Sequence, residues 1–205
     1  RKNYYILKSG RLRRKQNTLY FEDKDGKKPI PINDINSIFC FGELDVNSKL
    51  LVFLSQNRIP LHLFNYYGFY SGTYYPREYL NSGFLIVKQV QHYLDKRSRV
   101  KIAKEIIESA SHNLLKNLMH YKKHGKRVED KIDKIELERS KIEEISSIAD
   151  LMGVEGRIRE QYYDSFSDIL RKGFEFDKRT RRPPENMVNC LISFGNSLLY
   201  TTALS

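Results

Sequence analysis

The spacing of apolar residues changes near Pro76, and this change constrains the fold more than any other feature of the 205-residue chain. Before Pro76, short runs of alternating or β-branched residues recur at the spacing of strands in a small sandwich. Asn47 and Ser48 are potential caps of one helix between these runs, with Leu50 and Leu54 on its apolar face. Residues 1–76 are therefore predicted to form a β-sandwich-like domain with one embedded helix. The predicted strands cover residues 4–8, 11–14, 18–22, 28–32, 37–41, 60–64 and 69–75.

After Pro76 the apolar residues repeat with the 3.6-residue period of α-helices. Five helices are predicted, over residues 83–95, 99–123, 128–152, 154–172 and 186–204. A helix as apolar as the last one is expected to be nearly buried and to pack against further structure. Residues 77–205 are therefore predicted to be the helical domain of an α+β protein, incomplete in a chain that is expected to be a fragment. The apolar residues of the last helix are Met187, Val188, Leu191, Ile192, Leu198 and Leu199.

Charge is the second constraint, because the chain carries 36 Lys and Arg residues against 25 Asp and Glu residues, a net charge of +11. Residues 96–127 hold ten basic and two acidic side chains, and residues 171–182 hold six and two. Such clusters suit a polyanion, whose phosphates release counterions on contact, but a solvated lysine-rich surface explains them equally well. No apolar run approaches the roughly 20 residues that span a bilayer. The N-terminal residues also lack the apolar stretch of a signal peptide, so a cytoplasmic location is expected.

One carboxylate, that of Glu155, is predicted to lie on the apolar side of a helix. If the helix begins near Val154, its period aligns Glu155 with apolar residues further along the chain. An unpaired buried carboxylate is costly, so it requires a cation, a proton or another explanation. Two interpretations remain open: a metal-ligating or catalytic acid, or an acid in the first helical turn that complements the helix dipole. The residues aligned with Glu155 are Ile158, Tyr162, Phe166 and Ile169.

Four segments of the chain, in this order, carry a resemblance to a known family. They are residues 38–42 (Ile-Phe-Cys-Phe-Gly), 57–64 (Asn-Arg-Ile-Pro-Leu-His-Leu-Phe), 151–156 (Leu-Met-Gly-Val-Glu-Gly) and 181–200, which begins Arg-Arg-Pro-Pro-Glu-Asn. Together they resemble the CRISPR-associated endonuclease and integrase family, Cas1. The resemblance runs along the whole chain and fits the order of a β domain followed by a helical domain.

The resemblance implies a specific activity. Members of this family form homodimers through their β domains and, together with Cas2, cut and insert short foreign DNA fragments, called spacers, into a CRISPR array. The family's active site holds Mn²⁺ or Mg²⁺ between a Glu, a His and an Asp, and Glu155 matches the Glu. The His and Asp ligands are expected beyond Ser205, so this chain alone is expected to show little or no catalysis. The alternative is a non-catalytic DNA-binding or assembly module of the same system.

Other side chains are candidates for supporting roles. Tyr200 matches a tyrosine near the family's active site, although a tyrosine on an apolar helix is more often packed and hydrogen-bonded. Asn189, on the same predicted helix, is a candidate for orienting a neighbour. Basic residues in the two clusters are predicted to hold DNA phosphates without reading sequence, against the alternative of an exposed basic surface. These residues are Arg179, Arg181 and Arg182 before the last helix, and Arg97, Arg99, Lys101, Lys122, Lys123 and Arg127 on the earlier helices.

None of the five histidines occupies the ligand position of the family. His120 and His124 are four residues apart, which places them on one helix face at the spacing of a metal pair. No carboxylate lies close to them in sequence, and two surface histidines in a basic helix are the alternative interpretation. The other three are His62, in a predicted strand, and His92 and His112, on predicted helices.

Overall fold

A computed structural model of the chain describes residues 1–77, 81–181 and 183–205. The fold is α+β, as predicted. By their internal contacts the residues group into two compact units. The first comprises Arg1–Asn81 together with Leu191–Ser205, and the second comprises Ser82–Cys190.

The first unit contains two four-stranded sheets with the strand orders β1-β5-β7-β8 and β4-β3-β2-β6. In the first sheet β5 pairs in parallel with both β1 and β7, and β8 is antiparallel to β7. In the second sheet β2, β3 and β4 form an antiparallel meander, and β6 adds in parallel to β2. The strands are β1 (Lys2–Ile6), β2 (Gly10–Lys15), β3 (Thr18–Asp23), β4 (Gly26–Pro31), β5 (Ile35–Cys40), β6 (Leu44–Asp45), β7 (Leu61–Phe64) and β8 (Tyr70–Tyr74).

Both sheets and helix α1 (Ser48–Gln56) contribute to one apolar core, which confirms the predicted sandwich-like arrangement with an embedded helix. The side chain of Asn47 caps α1 by accepting a hydrogen bond from the Leu50 amide at 3.0 Å. All seven predicted strands are present. Strand β6 was not predicted, because two residues are too few to show an alternating pattern. The core includes Leu12, Leu19, Ile35, Ile38, Leu50, Leu54 and Leu61.

The second unit is helical and has a separate core, formed mainly by α3, α4 and α5. Helix α2 packs beside α3 but leaves its large apolar side chains, such as Phe84 and Leu94, exposed. None of the helices in the described ranges has the length and apolar character needed to cross a membrane. The helices after α1 are α2 (Gly83–Leu94), α3 (Lys96–Lys123), α4 (Glu129–Ser140), α5 (Ile148–Asp164), α6 (Phe166–Ile169) and α7 (Met187–Leu204).

The predicted helix break between residues 152 and 154 is wrong. Helix α4 ends at Ser140, and a 3₁₀ turn at Ile142–Glu144 precedes the start of α5. Ser147 caps α5, since its hydroxyl accepts a hydrogen bond from the Asp150 amide at 3.1 Å. The apolar period hid this break, because Ile142 in the turn is fully buried and continues the pattern of the flanking helices.

The compact units differ from the predicted domains in two respects. The boundary lies after Asn81 and not after Pro76, and the last fifteen residues group with the β unit instead of the helical one. Ring contacts explain the second difference: Phe194 lies 5.7 Å from Phe41 and Tyr200 lies 5.6 Å from Tyr70, measured between ring centroids. Three of the six apolar residues listed above for α7 are exposed: Met187, Leu191 and Leu199.

His62 is fully buried in strand β7. Its Nδ1 lies 2.7 Å from the Thr73 hydroxyl and its Nε2 lies 2.7 Å from the Ser205 hydroxyl. Its ring also packs against Phe39, with 4.7 Å between centroids. Burial lowers the pKa of His62, so the folded protein holds this imidazole in its neutral form.

The protein is expected to lose stability through His62 as the pH falls from 7.5 to 5.5. In the unfolded chain this histidine takes up a proton near pH 6.5, whereas the folded protein resists protonation because the pKa is lowered. Protonation therefore favours unfolding, and the loss should reach about 1 kcal/mol. Denaturant unfolding at both pH values should show a smaller loss for His62→Gln. The exposed-site control His112→Gln should behave like the parent, and equal losses in all three proteins would contradict the assignment.

Candidate active site and basic surfaces

Glu155 lies in α5, beside the face that packs into the helical core. Leu151, Val154 and Ile158 form that buried face, whereas the Glu155 side chain is 34% exposed. The predicted position on the apolar side is thus corrected to the edge of that side, because the buried face of α5 is centred on Leu151, Val154 and Ile158 and the Glu155 side chain lies to one side of that line. At this edge the carboxylate reaches solvent and needs no buried countercharge.

The carboxylate of Glu155 pairs with the next turn of its own helix. Its Oε1 lies 2.7 Å from Nη2 of Arg159, in an i,i+4 ion pair. Since α5 starts at Ile148, Glu155 is in the third turn and not in the first, where Asp150 is the acidic residue. The effect of a helix dipole is confined to the terminal turn. The interpretation of Glu155 as a dipole-complementing acid is therefore wrong.

Two glycines flank Glu155 on the helix. A Cβ atom at Gly156 would meet nothing within 4 Å, and at Gly153 the nearest atom would be Nη1 of Arg157 at 3.4 Å. Packing therefore does not require glycine at either position. Each interior glycine destabilises a helix by about 0.8–1.0 kcal/mol relative to alanine. The result is a stretch of bare helix surface next to the carboxylate.

The fit of a divalent metal ion can be judged from the donors present. A carboxylate oxygen is the ligand type that Mg²⁺ and Mn²⁺ prefer, and that of Glu155 is accessible. In residues 1–77, 81–181 and 183–205, no three side chains of His, Cys, Asp or Glu converge on a common point. Glu155 therefore fits as one ligand of such an ion.

Asn189, near the start of α7, is fully buried and organises the segment before that helix. Its Oδ1 accepts hydrogen bonds from the Thr180 amide at 3.1 Å and from Nη1 of Arg179 at 2.9 Å. Its Nδ2 donates to the carbonyl oxygen of Lys178 at 2.8 Å. The neighbour that Asn189 orients is thus the basic segment 178–180.

The three arginines predicted to bind DNA before α7 have different environments. Arg179 is half-buried and directs its guanidinium to Asn189 and to the carbonyl of Thr180, so its role in this structure is internal. Arg181 is exposed. Arg182 lies outside the described residues. Among the described residues of this segment, Arg181 therefore has the exposure that a phosphate contact requires.

Two of the basic residues predicted to bind DNA on or near α3 interact with another side chain of the protein. Arg99 is half-buried and lies over the ring of Tyr93, 5.1 Å from its centroid. Lys122 lies 3.9 Å from the carboxylate of Glu129. The other four predicted DNA-binding residues on or near α3 are exposed: Arg97, Lys101, Lys123 and Arg127. Arg97 and Lys101 also line a groove of about 380 Å³ that contains Glu105 and Glu108.

Tyr200 is exposed on α7, and its ring contacts Tyr70 within the first compact unit. Glu155 belongs to the second unit. In the described contacts Tyr200 thus packs against strand β8. Its support of the active site stays a prediction.

Comparison with known proteins determines the family. The sequence model of the family described as CRISPR associated protein Cas1 matches residues 4–205. The chain belongs to the Cas1 family. This confirms the resemblance carried by the four sequence segments.

Cas1 proteins from several organisms are similar along the whole chain. A CRISPR-associated endonuclease Cas1 of Thermodesulfovibrio yellowstonii is 47% identical over 100% of this chain and 62% of its own length. One from Methanothermobacter thermautotrophicus is 48% identical over 100% of this chain and 59% of its own length. The solved structure of a Cas1 protein from Thermotoga maritima superposes with a TM-score of 0.89 at 48% identity, covering 99% of this chain and 63% of the other. The chain thus spans about three fifths of the length of these Cas1 relatives.

Two features beside Glu155 in this Cas1 chain were not predicted from the sequence. The ion pair between Glu155 and Arg159 was not predicted, although a Glu followed by an Arg four residues later is a recognised helical ion pair. The open surface at Gly156 was also missed, because a glycine in a helical pattern does not reveal whether packing excludes a side chain. The first signal was present in the sequence, and the second required coordinates.

Proposed function

We propose that this protein is a metal-dependent DNA endonuclease and integrase of CRISPR adaptive immunity. It would cut short foreign DNA fragments and insert them as spacers into a CRISPR array, together with Cas2. The observation that carries this proposal is the 47–48% identity, along essentially the whole chain, to proteins named CRISPR-associated endonuclease Cas1.

In this proposal Glu155 supplies one carboxylate oxygen to Mn²⁺ or Mg²⁺. When bound, such an ion polarises a phosphodiester and lowers the pKa of an attacking water or 3′-hydroxyl. Arg159 holds the carboxylate in one orientation through the 2.7 Å contact. The bare surface at Gly156 leaves room beside the carboxylate for a DNA backbone to approach.

The exposed basic residues of the helical unit suit the phosphates of duplex DNA. The exposed residues are Arg97 and Lys101 near the start of α3, Lys123 at its end, Arg127 in the loop that follows, and Arg181 before α7. Such contacts position a duplex without reading its sequence. DNA, as the fragment to be inserted and as the CRISPR repeat, is therefore the proposed substrate.

Homodimer formation through the β unit, association with Cas2 and a cytoplasmic location are parts of the same proposal. The turn between β7 and β8 supports the dimer, since it displays Tyr66 and Tyr67 to solvent. Asn65 fixes this turn, because its Oδ1 accepts hydrogen bonds from the Tyr67 and Phe69 amides at 3.0 Å. Exposed aromatic side chains on a fixed turn are typical of the centre of a protein interface.

The proposal is tested with the full-length protein, Cas2, a labelled DNA fragment and a plasmid that carries a CRISPR repeat. Cleaved and joined products are expected with Mn²⁺ or Mg²⁺, and they should disappear when a chelator is added. If DNA is bound but neither cut nor joined with any divalent metal, the proposal is overturned in favour of a non-catalytic DNA-binding module.

DNA binding is expected to weaken steeply as salt is added, because phosphate contacts release counterions. Lys101→Ala should reduce the slope of log affinity against log salt by about 1, the value for one lost phosphate contact. Lys27→Ala is the matched control, because it removes the same charge from the β unit, where Lys27 pairs with Glu22 at 2.8 Å. Fluorescence anisotropy at several salt concentrations measures both slopes. A flat salt response, or equal slopes for the two variants, would argue against the α3 surface.

Gly156→Ala is expected to stabilise the protein and to lower its activity. Alanine raises the helix propensity by about 0.8–1.0 kcal/mol, and its Cβ has open space. The same methyl group covers part of the surface beside Glu155, so DNA cleavage should decrease. Denaturant unfolding and a cleavage assay on the same preparation measure the two effects. If activity is unchanged while stability increases, the bare surface has no role in substrate approach.

A further inference from the structure

His120 and His124 lie side by side at the C-terminal end of α3. Both are exposed, and their ring centroids are 4.3 Å apart with 39° between the ring planes. Two nitrogens bound to one tetrahedral ion at 2.0–2.1 Å are about 3.3 Å apart. Rings at this separation can reach that geometry by small rotations of their side chains, with no change in the helix backbone.

A hydrogen bond fixes the tautomer of one of these rings in the form that can bind a metal. Nδ1 of His124 lies 2.8 Å from the carbonyl oxygen of His120. A carbonyl oxygen can only accept, so Nδ1 carries the proton and the lone pair of the neutral ring is on Nε2. A ligand histidine whose second nitrogen donates to a backbone carbonyl is the usual arrangement in metal sites, because the bond fixes both tautomer and orientation.

The charge around the pair is mixed. Lys122 and Lys123 lie between the two histidines in sequence, and Lys122 faces Glu129 at 3.9 Å. The two histidines lie in and just beyond the last turn of a 28-residue helix, where free carbonyl groups favour a cation. The helix end thus offsets part of the repulsion from the lysines.

We propose that His120 and His124 form a binding site for a divalent transition-metal ion that accepts imidazole, namely Ni²⁺, Cu²⁺ or Zn²⁺. Both rings coordinate through nitrogen, and water completes the coordination shell. Imidazole pairs favour these ions over the harder Mg²⁺ and Ca²⁺, which prefer oxygen. The bound ion joins two successive turns and therefore stabilises the end of α3 before the turn at Gly125. This site is separate from Glu155 and does not depend on the proposed DNA chemistry.

The test is a calorimetric titration of Ni²⁺ into untagged, metal-free protein. One ion per chain is expected at this site, and removing either ligand by His120→Ala or His124→Ala should weaken binding by at least about tenfold, since loss of outer-sphere partners alone has that effect. His112→Ala is the matched control, because His112 is exposed on the same helix. It should bind Ni²⁺ like the parent. All three substitutions are at exposed positions, and circular dichroism checks that the variants remain folded.

Thermal unfolding gives an independent readout. Ni²⁺ should raise the melting temperature of the parent and of His112→Ala, because it binds the folded helix and not the unfolded chain. The increase should be clearly smaller in either ligand variant. The proposal is overturned if the parent binds no Ni²⁺, if both ligand variants bind as tightly as the parent, or if His112→Ala weakens binding as much as they do.

Discussion

Replacing Glu155 with alanine is expected to lower metal-dependent DNA cleavage and joining by the full-length protein at least about a hundredfold. A metal ion acting as a Lewis acid contributes several kcal/mol to transition-state stabilisation, and each loss of about 1.4 kcal/mol slows a reaction tenfold. The fold should tolerate the change, because Glu155 is partly exposed and an i,i+4 ion pair contributes only about 0.3–0.5 kcal/mol. Rates with Mn²⁺, together with the melting temperature, measure the effect.

Two control variants separate the role of the carboxylate from that of its ion pair. Arg159→Ala removes the 2.7 Å contact but leaves the carboxylate, so activity should fall only a few-fold. Glu160→Ala removes an exposed acid from the same helix and should leave the rates unchanged. If Arg159→Ala lowers the rates of cleavage and joining as much as Glu155→Ala, the loss in both variants comes from the broken ion pair and not from a lost metal ligand. Undiminished activity in Glu155→Ala would exclude Glu155 as a metal ligand.

The β unit was largely predictable because its signals are local. The alternation of apolar and polar residues in a strand indicates which of its faces is buried. A cap such as Asn47 acts within one turn of the helix it begins. The break before α5 was not predictable by the same reasoning, because a buried 3₁₀ turn around Ile142 preserves the apolar period that defines a helix. Hydrophobic spacing reports burial, and it cannot distinguish one long helix from two helices joined by a buried turn.

The candidate site was predictable in its residue types but not in their environments. The period of 3.6 placed Glu155 near the apolar face of a helix. Whether it lay in the core or at the edge depended on where the buried face was centred, which is on Leu151, Val154 and Ile158. The environments of the basic residues before α7 were even less predictable. Nothing in the sequence distinguishes Arg179 from Arg181. Arg179 is internal because it donates to Asn189, ten residues later, whereas Arg181 is exposed.

Asn189→Ala is expected to lower the free energy of unfolding by about 2–3 kcal/mol, because each buried polar group left without a partner costs about 1–3 kcal/mol. The substitution removes the acceptor for the Thr180 amide and for Arg179, and the donor for the Lys178 carbonyl. Since the segment leads directly to Arg181, DNA binding should also weaken, to about the level of Arg181→Ala. Denaturant unfolding and anisotropy measure the two effects.

Asn196→Ala is the matched control for this prediction, because it truncates an exposed asparagine on the same helix and should change neither quantity. Amide hydrogen exchange tests the mechanism directly. The Thr180 amide, which donates to Asn189 at 3.1 Å in the parent, should lose its protection in Asn189→Ala, while the core amides of α5 keep theirs. If the Thr180 amide stays protected, then the main chain and not the Asn189 side chain holds this segment. In that case the orientation of Arg181 does not depend on Asn189.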